Sequence, residues 1–407
     1  MLVTLIPLFD ENMTVKAYSL FTQKDHYFLN QEVSEEEQKE ENTAIEGLDA
    51  IKSMGAGTLA GNKEIFVTLN YLSALTKFEE ECDVPPRQLV FLIDNTFPPE
   101  EIYIDRLKEL KAEGYKLAMR KLEISQYQKY QEILKLMDYM FFDYKKINIS
   151  SGRLFFSKMF PNIKLCAGNL DTRGAFDKLK MNGGYKFYEG PFYRTPVTQG
   201  QHEVIPLKVN YIELLNLVNK RDYELSDAAG IITRDTALAI SLLKVVNKIA
   251  RNSEIVSIKY AAAVLGQKEL RRWINTVVAN QLYSDKPNEI TRLSLLRAKF
   301  AENLAPFFEL SMQAPELFLM GLFSVVDLIF EMPMSEALEK LQLAASIEEA
   351  LINHQGKLYP VYEFMLYYEN AEWQEVIKIM ESRNIDVDDI YDAYTGALEW
   401  YRDLFAN

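Results

Sequence analysis

Histidine is nearly missing from this chain: His26, His202 and His354 are the three in 407 residues, followed by Tyr27, Glu203 and Gln355. Without a single His-Asp pair, a histidine-rich metal phosphohydrolase site has no ligands to build from, and the three are expected at the surface. Cysteine is scarcer still. Cys82 and Cys166 form no C-x-x-C pair, which excludes a zinc knuckle and a disulfide framework and fits a reducing compartment. Positive charge is in deficit, with 45 Lys and Arg against 59 Asp and Glu and a formal net charge of −14. The chain as a whole does not attract a polyanion and no basic run stands out, so DNA and RNA are not expected partners. No apolar run approaches membrane-spanning length, and "MLVTLIPLFDENM" lacks a basic flank and meets Asp10 too early for a secretion signal. The expectation is a cytoplasmic protein without membrane contact.

Two familiar catalytic signatures are also absent. "GAGTLAGNKE" has glycines, but Asn62 separates Gly61 from Lys63, Glu64 stands where Ser or Thr would bind, and the stretch precedes a strand, so it reads as a turn. No G-x-S-x-G elbow occurs. In "KELRRWINTVV", Arg271 and Arg272 flank Trp273; a solvated helix face with a half-buried Trp is the simpler reading than a contact hot spot.

What is present is ordinary globular material, 48% hydrophobic and 26% charged, long enough for two cores. Up to about residue 200, β-rich runs ("LVTLIPLF", "TVKAYSLF", "EIFVTLN", "QLVFLID", "YKLAM", "YMFFD", "IKLCA", "YKFYEG") alternate with segments of helical spacing such as "PEEIYIDRLKELKAEG", where Ile104, Leu107 and Leu110 share a face. Repeated βα units predict a parallel sheet, and this many predict a closed barrel. The acidic insert "NQEVSEEEQKEEN" reads as a solvated loop or helix end. From about Leu207 the strands stop. "DTALAISLLKVVNKIA" has Asp235 as N-cap and an apolar stripe of Leu238, Leu242, Val245 and Ile249; "SIKYAAAVLG" has Ser257 as cap and Gly266 as stop. The predicted division is a barrel domain over 1–203 and an all-helical domain over 204–407, with the boundary in "RTPVTQGQHEVIP".

Barrel enzymes keep their chemistry at the C-terminal strand ends. Here those ends offer Ser19, Thr68, Phe91, Asp94, Arg120, Lys121, Phe141, Asp143, Gly168, Asp171 and Glu189. Metal-assisted phosphodiester cleavage needs converging carboxylates, whereas this set mixes acids with two fixed cations and aromatics, and a cation at the pocket would repel a divalent ion.

With these residues aligned, the first half resembles the EAL family of bacterial cyclic di-GMP phosphodiesterases and the second resembles the HDOD domain, a helical relative of the HD phosphohydrolases without their metal ligands. The resemblance covers nearly the whole chain and implies a TIM-like (β/α) barrel of EAL type followed by a helical HDOD domain in a bacterial signalling protein. It places the signature Glu at Ser19 in "AYSLF", the metal-binding Asn at Thr68 in "FVTLN", the next strand's Glu at Phe91 and the Asp-Asp-Phe on Arg120, Lys121 and Leu122. The catalytic Lys falls at Phe141, the Ala-Glu-x-Val-Glu-Thr run becomes "CAGNLDT" with Gly168 and Asp171, and the Gln-Gly becomes Glu189 and Gly190, while Asp94, Asp138 and Asp143 keep acids. So many replaced ligand positions imply a catalytically inactive barrel, with no cofactor, acting through protein contacts with a signalling partner. The alternative is a metal-independent sensor of cyclic di-GMP or another nucleotide, its pocket drawn from Asp94, Arg120, Lys121, Asp143, Asp171 and Glu189, with the cations on phosphate oxygens. Simpler for the same cations is a salt-bridge network with Asp94, Asp143 or Asp171. An active phosphodiesterase with rearranged ligands ranks last. The family's barrels often pair, so a homodimer is an open expectation.

Overall fold

In a computed structural model, the described residues are 2–23, 45, 47–77, 84–146, 149–196, 211, 213–215, 217, 218, 222–249, 255–282, 288–341 and 343–405. The acidic insert, His26, Cys82, His202 and most of the predicted boundary segment lie outside them.

Eight strands close into a barrel in chain order: β1 (Leu2–Phe9), β2 (Val15–Gln23), β3 (Glu64–Thr68), β4 (Leu89–Ile93), β5 (Lys116–Met119), β6 (Tyr139–Asp143), β7 (Lys164–Gly168) and β8 (Phe187–Glu189). Each coincides with a β-rich run of the sequence. The sheet is not wholly parallel, however, because β1 runs antiparallel to both β2 and β8. The reason is local. Asp10 closes a tight turn by accepting the Asn12 and Thr14 N–H groups on Oδ1, each at 2.9 Å, and so short a connection joins only antiparallel strands.

The helices of this region are α1 (Leu48–Met54), α2 (Ala56–Ala60), α3 (Glu101–Ala112), α4 (Gln131–Leu134), α5 (Ile149–Met159) and α6 (Arg173–Asn182). On α3, Leu107 and Leu110 are fully buried as their spacing predicts. Thr172 caps α6, its hydroxyl oxygen accepting the Ala175 N–H at 3.2 Å. Over 71–77 the chain forms only a 3-10 turn at Ser73–Leu75.

The helical part holds α7 (Leu225–Thr233), α8 (Thr236–Ile249), α9 (Ile258–Leu282), α10 (Asn288–Leu304), α11 (Ala314–Phe323), α12 (Val326–Phe330), α13 (Met334–Leu341), α14 (Ala345–Ile352), α15 (Tyr359–Glu369), α16 (Trp373–Arg383) and α17 (Val387–Phe405). Asp235 caps α8 through the Leu238 N–H at 3.0 Å, and Ser257 caps α9 through the Tyr260 N–H at 3.3 Å. Gly266 breaks α9 with φ 74°. The buried stripe of α8 is Leu238, Leu242 and Val246, with Val246 in place of the expected Val245.

The compact units do not divide at residue 203. The first contains 1–195 together with 363–407, and the second 196–362. The C-terminal helices are tied to the barrel by polar bonds: the Val3 N–H donates to the Tyr368 hydroxyl at 3.2 Å, Arg194 pairs with Glu369 at 2.6 Å and Arg402 donates to Thr58 at 2.9 Å. The helical periodicity of 363–407 is real, but periodicity does not say which core a helix covers.

Burial raises the phenol pKa of Tyr127, Tyr185 and Tyr211 to about 12 from 10.0, with a hydrogen bond to Asp235 adding to the effect at Tyr211. A raised acid pKa means stability that is complete below pH ~10 and lost as the pH climbs toward 12, since only the unfolded chain ionises freely there. Absorbance titration at 295 nm is therefore expected to show these phenols ionising late or together with unfolding; ordinary ionisation near pH 10 in the folded protein would contradict the burial.

Candidate functional site at the barrel mouth

Side chains alternate between the two faces of a strand, so the filling of the barrel defines what points inward. The interior cluster comprises Leu8, Ala17, Phe66, Val90, Leu92, Ala118, Tyr139, Phe141, Cys166 and Phe187. Phe66 sits edge-on to Tyr139, Phe141 and Phe187, with ring centroids 5.2, 5.6 and 6.1 Å away, which closes the lumen at mid-height. Toward the N-terminal strand ends lies a polar floor: Lys116 forms an ion pair with Glu64, and the Tyr139 hydroxyl donates to Glu64 Oε2 at 2.8 Å. Beside Glu64, burial drives the Tyr139 phenol well above its ordinary pKa. This floor escaped the sequence reading, although the period-two step back from Phe66 and Ala118 leads to Glu64 and Lys116.

Continuing the inward positions toward the C-terminal ends gives Ser19 and Phe21 on β2, Thr68 after Phe66, and Arg120, Asp143, Gly168 and Glu189 one step beyond the interior cluster. Arg120 closes the mouth. Its Nη2 donates to Glu189 Oε2 at 3.1 Å and Oε1 at 3.3 Å, and its guanidinium carbon lies 5.1 Å from the Phe21 ring centroid and 5.5 Å from that of Phe141. The Arg120 and Glu189 side chains are 16% and 12% exposed, so the pair is largely withdrawn from water. Gly190 lets the chain leave β8: a Cβ there would stand 2.3 Å from the Leu170 carbonyl oxygen, and φ is 141°. Phe21 was not among the sequence candidates; two residues after Ser19 on the same strand face, it was within reach of the alternation.

Ser19 is 1% exposed and its hydroxyl has no hydrogen-bond partner. A buried, unmet hydroxyl costs about 1–3 kcal/mol. Thr68 ends β3 beside Leu92. Phe91, in contrast, does not belong to the mouth: it points away from the lumen and packs on Tyr115 at 5.0 Å, while its neighbours Val90 and Leu92 point in. Phe91 thus lies on the outward face of β4, and a one-residue slip transfers a strand's side chains to the opposite face.

The remaining acids do not converge. Asp94 accepts the Thr96 N–H at 2.9 Å and the Thr96 hydroxyl at 2.6 Å, and Lys121 Nζ lies 3.6 Å from its other oxygen. Lys121 has left-handed backbone, φ 57°, and a side chain 67% exposed, so it leaves the lumen that Arg120 enters. Asp143 accepts the Lys145 N–H at 2.9 Å. Asp171 is exposed and pairs with Lys145 Nζ at 2.7 Å. Gly168 is buried beside Asp143 and contributes no side chain. The expected salt-bridge network therefore exists in part: Lys121 pairs with Asp94, but Arg120 pairs with Glu189, Lys145 Nζ pairs with Asp171, and the Asp143 carboxylate accepts the Lys145 backbone N–H. Among the described residues, no three His, Cys, Asp or Glu side chains are grouped so as to hold a metal ion. Away from the barrel, His354 is exposed and stacks on Tyr359 at 5.6 Å, Arg271 lies over Tyr223 at 5.5 Å, and Trp273 is half-buried. No helix among the described residues is long and apolar enough to cross a membrane.

Residues 205–356 match the HDOD domain family. Over 410 aligned residues the chain is 27% identical to the uncharacterized protein YuxH of Bacillus subtilis, covering 98% of this chain and 97% of that one. It is 26% identical to the cyclic di-GMP phosphodiesterase CdgJ of Vibrio cholerae over 86% of this chain and 82% of the relative. Among solved structures, it resembles Klebsiella pneumoniae BlrP1 in a manganese and cyclic di-GMP complex at 13% identity and a TM-score of 0.38; 46% of this chain is covered, and the chain spans 54% of that structure's length.

Proposed function

We propose, from the premise that residues 205–356 form an HDOD domain, that this is a bacterial signal-transduction protein whose EAL-like barrel has lost metal chemistry and which acts through protein contacts. The observation that carries the reading is the Arg120 side chain at the barrel mouth, held by Glu189, Phe21 and Phe141. A divalent ion requires several oxygen ligands around one point. Here the inward positions supply the Ser19 hydroxyl, Thr68, a fixed cation, the Phe141 ring and Gly168, and the strand-end carboxylates are already engaged: Glu189 by Arg120, Asp143 by the Lys145 N–H, and Asp94 by Thr96 and Lys121. This donor set does not fit a metal pair. The 26% identical Vibrio cholerae phosphodiesterase supports a link to cyclic di-GMP signalling, and the mouth residues argue against the reaction in this chain.

A second reading rests on Lys121, a largely exposed cation at a strand end with only a 3.6 Å contact to Asp94. It is free to turn toward a phosphate, which would make the barrel a metal-independent nucleotide sensor.

One experiment addresses both. The purified chain is titrated calorimetrically with cyclic di-GMP, with and without magnesium, and hydrolysis is followed in the same samples. The expected outcome is no metal-dependent hydrolysis. Turnover abolished by Asp94→Asn or Asp143→Asn would sink the proposal. Metal-independent binding that Lys121→Glu abolishes would favour the sensor, and absence of heat in either buffer would favour the scaffold.

A further inference from the structure

Outside the barrel, one surface of the helical unit combines exposed apolar side chains with lysines. On α8, Ile240, Lys244 and Lys248 recur every four residues and are all exposed, opposite the buried Leu238, Leu242 and Val246. At the start of α9, Val256, Tyr260 and Val264 recur with the same period, opposite the buried Ala261 and Ala262. Their exposures are 50% for Ile240, 78% for Val256, 60% for Tyr260 and 43% for Val264. The two helices adjoin. Asn247 clamps Ile255 by donating to its carbonyl at 3.0 Å and accepting its N–H at 2.7 Å, and α8 packs against α9, so the second helix begins beside the end of the first.

The charge leans the same way. Lys244, Lys248, Lys259 and Lys268 are exposed, and Glu254 is the one acid in the sequence from Ile240 to Lys268, in a protein of net charge −14. Two adjacent helices that present apolar side chains between lysines suit an amphipathic helix whose apolar ridge is flanked by carboxylates. Nucleic acid fits less well, because the net charge of the chain opposes a polyanion. A bilayer fits less well too, since the face mixes lysines among its apolar residues and carries no Trp, Phe or Leu that is exposed.

We propose that this face of α8 and α9 is the docking surface for an acidic amphipathic helix of a partner protein. This deepens the protein-contact reading of the helical half. Its test is independent of the barrel experiment, because neither cyclic di-GMP binding nor hydrolysis enters the readout.

The probe is a synthetic, fluorescently labelled helix of roughly 18 residues with Leu at three- and four-residue spacing and Glu on both flanks, and a twin carrying Lys at every Glu position. The full chain is expected to bind the Glu peptide and not its twin, by anisotropy at low salt. The double variant Lys244→Glu/Lys248→Glu is expected to lose ~10-fold or more in affinity for the Glu peptide and to gain the Lys peptide. That exchange of preference is a result misfolded protein does not give. Tyr260→Ser should weaken the Glu peptide, and Met312→Ser, exposed in another element, should leave it unchanged. Failure of the intact chain to bind the Glu peptide, or equal binding after charge reversal, overturns the proposal. So does a preference for single-stranded oligonucleotide or phosphatidylglycerol vesicles that the same double variant removes, which would reassign the face to nucleic acid or membrane.

Discussion

Gly321→Ala is expected to destabilise the helical unit by about 3 kcal/mol, within the upper range for overpacked cores. Gly321 lies on α11 where that helix crosses α10. A Cβ built there meets the Arg297 carbonyl oxygen at 2.4 Å and the Ala298 nitrogen at 2.6 Å. These are backbone atoms of the neighbouring helix, so relief comes only by moving α10 and α11 apart. Separation also strains bonds that cross the same contact: the Ser294 hydroxyl donates to the Leu322 carbonyl at 2.6 Å, and Arg297 Nη1 donates to the Ser324 hydroxyl at 3.0 Å. Each buried polar group left unmet costs about 1–3 kcal/mol more. Gly230→Ala on α7 is the contrast: a Cβ there has nothing within 4 Å, the site is exposed and helical, and a gain of about 0.5–1 kcal/mol is expected. Urea titration of the two variants in parallel checks the pair of signs; a neutral Gly321→Ala would mean that the helices tolerate separation.

Arg120→Met and Glu189→Leu, made singly, are each expected to cost about 3 kcal/mol, and together under about 1 kcal/mol. Removing one partner leaves the other charge in a mouth where both side chains are less than one-fifth exposed, whereas replacing the pair with apolar groups of similar size removes both desolvation costs. The Arg120 variant also gives up its contacts with the Phe21 and Phe141 rings, so it should be the worse of the two. A double-variant cycle in denaturant measures the coupling. Additive losses in the double variant would show that the pair is not the organising contact of the mouth and would weaken the functional proposal built on it.

The strands were legible because each is a short β-rich run between turn or helix signals, as "YKLAM" is between Gly114 and the polar segment after Met119. Caps were legible because their chemistry is local, as at Asp235 and Ser257. Helix α5 was not. "ISSGRLFFSKM" has two serines and a glycine in its first turn, weak helix formers, and it is held by packing on the barrel. Gly152 passes the Phe142 ring, which a Cβ would meet at 3.3 Å, and Phe156 packs edge-on to that ring at 5.4 Å.

Of the candidate site, the sequence identified the strand-end residues and the two cations among them, but not their partners. Arg120 and Glu189 are 69 positions apart on strands that do not neighbour each other, and no local pattern links them. Phe91 shows the same limit on a smaller scale, because alternation sorts a strand into two faces without saying which one looks inward.

By itself, then, the amino-acid sequence determined where the eight strands and several helices lie, where some of them begin and end, and a charge balance that disfavours polyanions. Those properties depend on side-chain period, backbone propensity and composition, all local or additive along the chain. Only the tertiary structure decided that β1 runs against its neighbours, that Arg120 turns into the lumen while Lys121 turns out, and that 363–407 packs with the barrel. Each of those outcomes is a choice among burial arrangements that the same local pattern permits, and it is settled by which contacts close simultaneously around a shared core.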